Sequence, residues 1–495
     1  MDRLLPAGVE IRHPDRLFIG GEWVLPADRG ALEIVSPDTE QVIAYCAAAG
    51  SRDMDAAVEA ARRASDFGPW PATPPAERAA KVKQLAERLS ARIPELAACG
   101  TAQVGILARI APAMVYGGLL PLEWNAAWSA EFKWVERRST LDPSQSGYVV
   151  QEPVGVVACI APWNAPVVTM TQKIAPALVA GCTIIMKPSP ETPLEAYIIA
   201  EEAEAVGFPP GVINLVPSHR DAADHLISNP GLDKISFTGS SAVGKRIAAV
   251  SAERIGRYTL ELGGKSAAII HDDFPIEMAA KILGRTITIL SGQVCAMLTR
   301  AIVPAKRHDE LADAIAAELR SVKVGYSYDM ASEMGPVASK RQLERVENYI
   351  AKGKEDGFEM LSGGMRPGHL NRGFFMEPTL FVDVGSRSAI AQEEIFGPVL
   401  SLIKADSEDH AVAIANDSVF GLNSAVFSSS PQEAYRIGRR LRAGVVGQNG
   451  LQSDFTLPFG GFKQSGIGRE GAIEGIQPYV ETKTMLLAGD VNTSA

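Results

Sequence analysis

Apolar residues recur along the chain at two spacings that alternate. Short runs rich in β-branched residues predict buried strands at 155–161, 182–187, 212–216, 234–238 and 266–271. Ala-rich segments with apolar residues at helical spacing predict amphipathic helices at 53–65, 77–93, 193–207 and 308–322. Because strand-like and helix-like segments alternate, the sequence predicts an α/β fold with largely parallel sheets.

Two segments, 145–152 and 478–487, show a different pattern. Their polar and apolar residues alternate, and no helix-like segment follows either of them. A period of two predicts half-exposed strands. The pattern alone favours a surface hairpin and a terminal strand over an element of subunit association.

Size and charge bound the class of protein. With 495 residues, 46% of them hydrophobic, the chain is long enough for more than one domain. Its net charge of -10 argues against a nucleic-acid binder, whose binding face is usually basic. No apolar run approaches the ~18 residues of a membrane span. The first residues, MDRLLPAGVEIRHPDR, lack the apolar core of a signal peptide.

Cysteine and histidine usage predicts a reduced, cytoplasmic protein without a metal site. The chain has five isolated cysteines and seven dispersed histidines. It contains neither C-x-x-C nor H-x-x-x-H, so we expect no metal-ligand set and no disulfide framework. Four cysteines lie in Ala-rich or strand-like contexts and are interpreted as packing residues, namely Cys46, Cys99, Cys159 and Cys182.

The segment FTGSSAVGKR (237–246) has the glycine spacing of a nucleoside-triphosphate loop. Gly239, Gly244 and Lys245 match G-x-x-x-x-G-K, but an arginine follows where such a loop needs Ser or Thr for Mg²⁺. A strand, a glycine turn and a helix start still make an anion site, with Ser240 as the expected helix cap. An ordinary turn between strand and helix is the alternative.

Three further positions carry candidate reactive groups. Glu261 ends the apolar run of TLELGGKS, and a carboxyl in a partly apolar site has the raised pKa that suits a general base; a helix cap or ion-pair partner is the alternative. Cys295 follows Gly292 in SGQVCAMLTR, where we expect a helix N-terminus and hence a nucleophilic thiol of low pKa; a buried packing residue is the alternative. Asn164 lies between prolines in the stiff loop APWNAP, as an oxyanion donor or a turn former.

In their order along the chain, seven motifs resemble those of the NAD(P)-dependent aldehyde dehydrogenase family, in its hydrolytic, non-acylating branch. They are PWN, KPS, FTGS, ELGGK, GQ-x-C, EEIFGPV and PFGG-x-K-x-SG-x-GRE. The resemblance runs from about residue 17 to the last predicted strand. It implies the oxidation of an aldehyde to a carboxylic acid with NAD(P).

The resemblance implies a role for each matching catalytic residue. Cys295 is the nucleophile that forms a thiohemiacetal and then a thioester, and Glu261 activates the water that hydrolyses the thioester. Asn164 and the backbone N–H of Cys295 stabilise the oxyanion, and losing such a donor lowers the rate by roughly 10²–10³. Lys173 and Glu470 match an inner pair thought to relay protons.

The resemblance also implies cofactor-binding residues. Lys187 holds the adenine ribose, Glu394 binds the nicotinamide ribose, and Phe396 lies beside the nicotinamide ring. Trp163 lines the path of the pyrophosphate, and Lys245 becomes a solvent-facing helix residue. The glycine loop and the segment that packs on it meet the pyrophosphate through Gly239, Ser240, Gly244 and Leu262.

This chain departs from the family's pattern in the cofactor and aldehyde sites. Pro190 stands where many NAD-preferring members have an acid, and Glu191 follows it, so NAD is expected with NADP as the alternative. Gln172 replaces an aromatic before the relay lysine, and Asp454 and Phe455 lie in the segment of the C-terminal pocket wall. These changes favour a bulky aromatic, terpenoid or functionalised aldehyde over acetaldehyde.

The family's architecture implies three parts. A Rossmann-like cofactor domain covers 1–129 and 153–261, and an α/β catalytic domain with the nucleophile covers 262–462. A small β extension for oligomerisation covers 130–152 and 463–495, which revises the interpretation of the alternating segments towards subunit contacts. A homotetramer is expected over a homodimer, and the expected partner is a small-molecule aldehyde substrate, not nucleic acid or a membrane.

Other functions fit the motifs less well. A CoA-acylating relative passes the acyl group to CoA, and Glu261 argues against it because the hydrolytic branch uses this acid. A cysteine thioesterase or peptidase needs a base for Cys295, and no histidine lies near it in the sequence. A non-enzymatic binding protein has no use for the complete set of Cys295, Glu261 and Asn164.

Overall fold

The structure, a computed structural model, describes residues 5–492. Residues 1–4 and 493–495, which belong to the predicted cofactor domain and β extension, lie outside the described residues. Within the described part of the chain, no helix is both long enough and apolar enough to cross a membrane.

Strands and helices alternate along the described chain. The strands are β1 Leu17–Ile19, β2 Glu22–Val24, β3 Gly30–Val35, β4 Val42–Ala48, β5 Val135–Arg138, β6 Ser146–Pro153, β7 Val156–Ile160, β8 Thr183–Lys187, β9 Ile213–Leu215, β10 Lys234–Thr238, β11 Arg257–Glu261, β12 Ser266–Ile270, β13 Leu298–Pro304, β14 Glu359–Ser362, β15 Thr379–Val382, β16 Val399–Ala405, β17 Asn423–Phe427, β18 Val445–Gln448, β19 Gly466–Ile467 and β20 Val480–Leu487.

The helices surround these strands. They are α1 Ser51–Phe67, α2 Pro75–Ala91, α3 Ile93–Val104, α4 Ala111–Trp128, α5 Pro166–Ala180, α6 Leu194–Val206, α7 Arg220–Ser228, α8 Ser241–Glu253, α9 Ile276–Ile287, α10 His308–Ser321, α11 Lys340–Glu355, α12 Ala389–Gln392, α13 Glu408–Asn416 and α14 Pro431–Gly438. The five predicted buried strands are β7, β8, β9, β10 and β12, and the four predicted helices are α1, α2, α6 and α10. The predicted α/β class is therefore confirmed.

The largest sheet has eight strands in the order β19-β11-β10-β7-β8-β9-β1-β2. Its five inner strands from β11 to β9 are parallel, and antiparallel strands join at both ends. Side chains of β7 alternate between two apolar clusters, with Val157 and Cys159 in one and Val156 and Ala158 in the other. Both faces are thus covered, as expected for a parallel sheet between helices.

A second sheet has seven strands in the order β14-β15-β16-β13-β12-β17-β18. All its neighbours are parallel except β14 and β15. Ala267 and Ile269 of β12 pack into one apolar cluster, and Ala268 and Ile270 pack into another. This sheet is also buried on both faces, and the remaining strands β3 and β4 pair with each other.

The two alternating segments of the sequence form one small sheet. β6 pairs antiparallel with β20 along its full length, from Ser146 opposite Leu487 to Pro153 opposite Val480. The short strand β5 pairs with the other edge of β6. β20 therefore lies at an edge of a three-stranded sheet, and its apolar residue Leu486 is exposed.

The carboxyl ends of the parallel strands in the largest sheet lie side by side. Thr238 at the end of β10 is opposite Glu261 at the end of β11, and Ile160 at the end of β7 is opposite Lys187 at the end of β8. Ligands of open α/β sheets bind outside this edge. The polar groups singled out in the sequence are therefore concentrated where a ligand site is expected.

Candidate active site

The turn between β10 and α8 is the predicted anion loop. Ser240 is the N-cap of α8, and its hydroxyl accepts a hydrogen bond from the Val243 N–H at 3.4 Å. The Gly239 N–H donates to the carbonyl of Glu261 at 3.0 Å. Lys245 is exposed on α8. The loop thus offers a helix N-terminus to an anion without a lysine of the triphosphatase type.

The segment after β11 is packed tightly on both sides. A Cβ at Gly244 of α8 would lie 2.6 Å from Leu262, so the helix and this segment approach closely. A Cβ at Gly263 would collide with the carboxylate of Glu394, and the Gly264 N–H donates to Glu394 Oε1 at 3.1 Å. Burial raises the pKa of Glu394 to about 6, which the Gly264 hydrogen bond partly offsets.

Cys295 does not lie at a helix N-terminus, so that prediction was wrong. It follows the short 3₁₀ turn Ile289–Gly292 and precedes strand β13. The expected low thiol pKa was also wrong, because burial raises the pKa of Cys295 to about 12, and the charges of Glu394 and Glu261 raise it further. The thiol is a half-buried, protonated group that needs a base before it can act as a nucleophile.

The three residues Leu290–Gly292, which we call the nucleophile arch, have left-handed backbone conformations. Their φ angles are +48° at Leu290, +54° at Ser291 and +76° at Gly292. Such a conformation in a non-glycine residue is strained by about 1–3 kcal/mol and persists only where surrounding contacts hold it. The Ser291 hydroxyl lies 2.8 Å from the carbonyl oxygen of Gly335 and 3.0 Å from that of Pro336.

Asn164 contacts the loop that carries Cys295. Its Nδ2 donates to the backbone carbonyl of Gln293 at 2.8 Å. Gln293 is itself fixed, since its Nε2 donates to the Leu290 carbonyl at 2.8 Å and its Oε1 accepts from the Ala338 N–H at 2.9 Å. Gln293 had no predicted role, although it lies within the motif GQ-x-C. One N–H of the Asn164 amide remains for a ligand oxygen.

Glu261 is buried, with 3% of its surface exposed, and neither carboxyl oxygen has a hydrogen-bond partner among the described residues. Desolvation raises its pKa well above the usual value, and the charge of Glu470 raises it further. A Cβ at Gly460 would lie 2.8 Å from Glu261 Oε1, so glycine leaves room beside the carboxyl. A buried carboxyl of raised pKa has the properties of a general base.

The structure brings Lys173 and Glu470 together. The Lys173 ammonium donates to Glu470 Oε1 at 2.6 Å and to the Thr238 hydroxyl at 2.6 Å. Both members of the ion pair are buried. Because the charge of Lys173 lowers the pKa of Glu261 while that of Glu470 raises it, the three groups are electrostatically connected.

Lys187 and its neighbours lie at the end of β8. Burial lowers the pKa of Lys187 to about 8, and the charge of Glu191 partly offsets this effect. The Ser189 hydroxyl hydrogen-bonds to the Glu191 carboxylate. Glu191 therefore places a negative charge near Lys187 although Pro190 occupies the position where the acid was sought.

Phe396 follows Glu394 and faces Trp163. The two rings meet edge to face, with centroids 5.3 Å apart. Phe396 has a φ of +62°, and two side chains of α11 hold its loop. Gln342 Nε2 donates to the Phe396 carbonyl at 2.6 Å, and Arg345 Nε donates to the Ile395 carbonyl at 3.1 Å. The sequence analysis missed both residues, because α11 reads as an ordinary amphipathic helix.

Apolar residues from the C-terminal part of the chain pack around Cys295. Cys295 belongs to a cluster with Phe455 and Phe459, whose rings meet edge to face at 5.1 Å. Asp454 is exposed and accepts a hydrogen bond from its neighbour Thr456, so its charge is directed at its own turn. Gln172 is 5% exposed, and its Nε2 has no hydrogen-bond partner among the described residues.

One group of described residues has the spacing of metal ligands. Atoms of His271, Glu408 and Glu433 lie within 4.8 Å of one another. Protein cations already contact both carboxylates: Arg436 donates to Glu408 at 2.8 Å and to Glu433 at 2.9 Å. Arg440 donates to Glu408 at 2.9 Å. The group is therefore a half-buried ion-pair network whose carboxylates already have protein partners.

Comparison with known proteins gives consistent results. Residues 23–485 match the model of a family described as the aldehyde dehydrogenase family. The chain is 41% identical to a geranial dehydrogenase of Castellaniella defragrans over 96% of this chain and 98% of that protein. It is 37% identical to a 3-succinoylsemialdehyde-pyridine dehydrogenase of a Pseudomonas species, over 95% and 98% of the two chains.

Solved structures agree with the sequence comparisons. The structure superposes on an aldehyde dehydrogenase of Mycobacterium tuberculosis in complex with NAD+ with a TM-score of 0.94 and 42% sequence identity, covering 97% of this chain and 99% of the other. A betaine aldehyde dehydrogenase of Staphylococcus aureus in complex with NAD+ gives the same TM-score at 34% identity, covering 98% and 96% of the chains.

Proposed function

Because the chain belongs to the aldehyde dehydrogenase family, we propose that it oxidises an aldehyde to the carboxylic acid with NAD+, by covalent catalysis at Cys295. The observation that carries the proposal is the contact between Asn164 and the loop of Cys295, with the unpartnered carboxyl of Glu261 exerting its charge on the same thiol. Nucleophile, oxyanion donor and base therefore belong to one site.

The residues at the strand ends fit NAD+. The anion loop offers the N-terminus of α8 to a pyrophosphate, and Lys187 and Glu394 offer one donor and one acceptor for two riboses. The aromatic pair Trp163 and Phe396 fits a nicotinamide ring. When bound, NAD+ supplies the acceptor for the hydride that the aldehyde loses.

Cys295 and Asn164 act on the carbonyl group. Since the thiol has a raised pKa, its proton must leave as Sγ attacks the carbonyl carbon, and the carboxylate of Glu261 accepts it. The negative charge then develops on the aldehyde oxygen. The free N–H of the Asn164 amide and the backbone N–H of Cys295 stabilise it as an oxyanion.

Glu261 acts again in hydrolysis. An acyl group on Cys295 is released by water, and Glu261 removes a proton from that water as it attacks. The charges of the buried pair Lys173 and Glu470 both influence the pKa of this carboxyl. We assign to this pair the transfer of protons from Glu261 to the outside, so that the carboxylate is restored before hydrolysis begins and again after each turnover.

The apolar surroundings of Cys295 favour a bulky aldehyde. Phe455 and Phe459 pack in the same cluster as the nucleophile, and apolar surface contributes about 25 cal/mol per Å² buried. A terpenoid or aromatic aldehyde buries more of this surface than acetaldehyde. The similarity to a geranial dehydrogenase supports the terpenoid class.

We predict that the purified protein forms NADH with terpenoid and aromatic aldehydes at a higher kcat/KM than with acetaldehyde. Absorbance of the reduced cofactor measures the rate, and Cys295→Ala, the matched control, is expected to fall to background because the nucleophile is lost. Equal kcat/KM across the panel would contradict the substrate class. Formation of acyl-CoA in place of acid when CoA is added would contradict hydrolysis.

We also predict that Glu191→Gln increases the use of NADP+. Glu191 lies near Lys187, and its charge repels a 2′-phosphate on the ribose held there. The ratio of kcat/KM for NADP+ to that for NAD+ is expected to rise about tenfold, because repulsion between unit charges 4 Å apart amounts to about 1–4 kcal/mol near a surface. Glu253→Gln, at the exposed end of α8, is the control. An unchanged ratio would show that another feature selects the cofactor.

We propose that the three-stranded sheet belongs to an oligomerisation element that covers residues 130–152 and 463–495. The boundary between the cofactor domain and the catalytic domain is proposed to lie between residues 261 and 262. β20 is an edge strand with exposed Met485 (40%) and Leu486 (61%). An unprotected edge with apolar side chains favours pairing with another chain. We propose that the protein is a homotetramer and that it is cytoplasmic. Its described cysteines are all free thiols, which fits a reducing compartment.

Leu486→Glu is expected to lower the oligomeric state, because a charge placed in an apolar interface is desolvated without a partner. Light scattering after size-exclusion chromatography measures the mass. Phe67→Glu, at a still more exposed position at the end of α1 (87%), controls for surface charge. An unchanged mass for Leu486→Glu would place the subunit contact elsewhere.

A further inference from the structure

We propose that Ser291 is a positioning residue for Cys295. Its hydroxyl anchors the nucleophile arch to the carbonyl groups of Gly335 and Pro336, and so fixes the thiol relative to Asn164. This inference rests on the proposed function of Cys295 as nucleophile. The arch lies only three residues before the thiol, so a change in its backbone displaces Cys295 directly.

The arch needs an anchor because its conformation is intrinsically unfavourable. Leu290 is a bulky residue with a φ of +48° and a ψ of +32°, and Ser291 follows at +54° and +39°. L-residues other than Asn, Asp and His rarely adopt this region. Two such residues in succession must be held by contacts outside the arch itself.

Packing does not supply all of that restraint. A cavity of about 230 Å³ lies against the arch. Leu290 and Ser291 of the arch line it, together with residues that include Ile106, Leu107 and Gly335. A segment next to a cavity has space to move into. The polar contacts of Ser291, which is 2% exposed, therefore add to the restraint that comes from the close packing of Gly292 on the backbone of Gly397.

The support that receives the Ser291 hydroxyl is itself fixed. A Cβ at Gly335 would lie 2.6 Å from the carbonyl oxygen of Gly105, so the backbone at Gly335 is in close contact with the backbone at Gly105. The Val337 N–H donates to the Phe374 carbonyl at 2.9 Å. The segment Gly335–Ala338 is thus a firm base to which the arch is attached.

A second attachment adjoins the first and connects it to the oxyanion donor. Gln293 bonds to the Ala338 N–H at 2.9 Å and to the Leu290 carbonyl at 2.8 Å, and its own carbonyl receives Asn164 Nδ2 at 2.8 Å. Loss of the Ser291 anchor therefore displaces both the thiol and the partner of Asn164. A structural residue without this connection would affect stability alone.

The test is Ser291→Ala, which removes the hydroxyl and leaves a residue of similar size. We expect kcat for aldehyde oxidation to fall by about 10-fold to 100-fold, since a misplacement of about 1 Å costs on the order of 10²-fold. KM for the aldehyde and Kd for NAD+ are expected to change less than about twofold, because Ser291 touches neither binding region. Ser321→Ala, an exposed serine whose hydroxyl donates to the Glu318 carbonyl at 2.7 Å, is the control.

Alkylation of Cys295 by iodoacetamide gives a readout that does not need turnover. We expect the single-exponential rate to rise in Ser291→Ala, because a loosened arch exposes the half-buried thiol, while kcat falls. Opposite changes in the two rates distinguish displacement of the thiol from a simple loss of active protein, which leaves the alkylation rate of the remainder unchanged.

A second substitution tests the strain directly. Asn tolerates left-handed φ better than Leu, so Leu290→Asn is expected to raise the melting temperature. In the double variant Leu290→Asn/Ser291→Ala the arch needs its anchor less, and we expect kcat to recover relative to Ser291→Ala. Such non-additivity between neighbours is what a double-mutant cycle measures.

Two outcomes overturn the inference. They are an unchanged kcat and alkylation rate in a folded Ser291→Ala, and strictly additive effects in the double variant. Failure of the proposed function looks different: the wild-type protein then shows no Cys295-dependent oxidation of any aldehyde, while the alkylation rates still report whether Ser291 positions the thiol.

Discussion

The hydrogen bond from Asn164 Nδ2 to the Gln293 carbonyl is the contact on which the site depends. Asn164 follows β7 of the largest sheet, and Gln293 precedes β13 of the second sheet. The contact therefore fixes two independently buried sheets relative to each other beside Cys295, the proposed nucleophile. Because each sheet is covered on both faces, its strand ends are rigid, and rigid elements hold reactive groups more accurately than loops alone.

Burial is the second constraint, and it shifts the pKa of both reactive groups upwards with different consequences. Desolvation raises the pKa of Cys295 to about 12 and raises that of Glu261 well above its ordinary range. The first change makes the thiol unreactive until a base acts, and the second makes a suitable base available. The charges of the buried pair Lys173 and Glu470 act on Glu261 in opposite directions, since Glu470 raises its pKa further and Lys173 lowers it. The strength of the base therefore depends on the exclusion of water, because desolvation is what raises the pKa of the carboxyl.

The sequence predicted the elements well and the local geometry of the nucleophile poorly. β7, β8, β10 and β12 follow from short, mainly apolar runs, because strands buried on both faces have few polar positions. The expected helix start at Cys295 was wrong, since apolar spacing cannot reveal the left-handed backbone of Leu290 and Ser291. The roles of Gln293 and Gln342 arise from contacts between segments far apart in the chain, which no spacing encodes.

The most direct test of the account is the mass of the intact Glu261→Gln protein, quenched in acid after mixing with an aldehyde and NAD+. If Cys295 carries the acyl group and Glu261 serves both steps, the variant forms the acyl group slowly by ionisation of the thiol without a base. It hydrolyses that group more slowly still, because water is a far weaker acid than the thiol. One acyl group per chain therefore accumulates over a long incubation and maps to the Cys295 peptide. Wild-type protein treated in the same way retains little. Formation of NADH by the variant without an acyl adduct on Cys295 would contradict covalent catalysis at this residue.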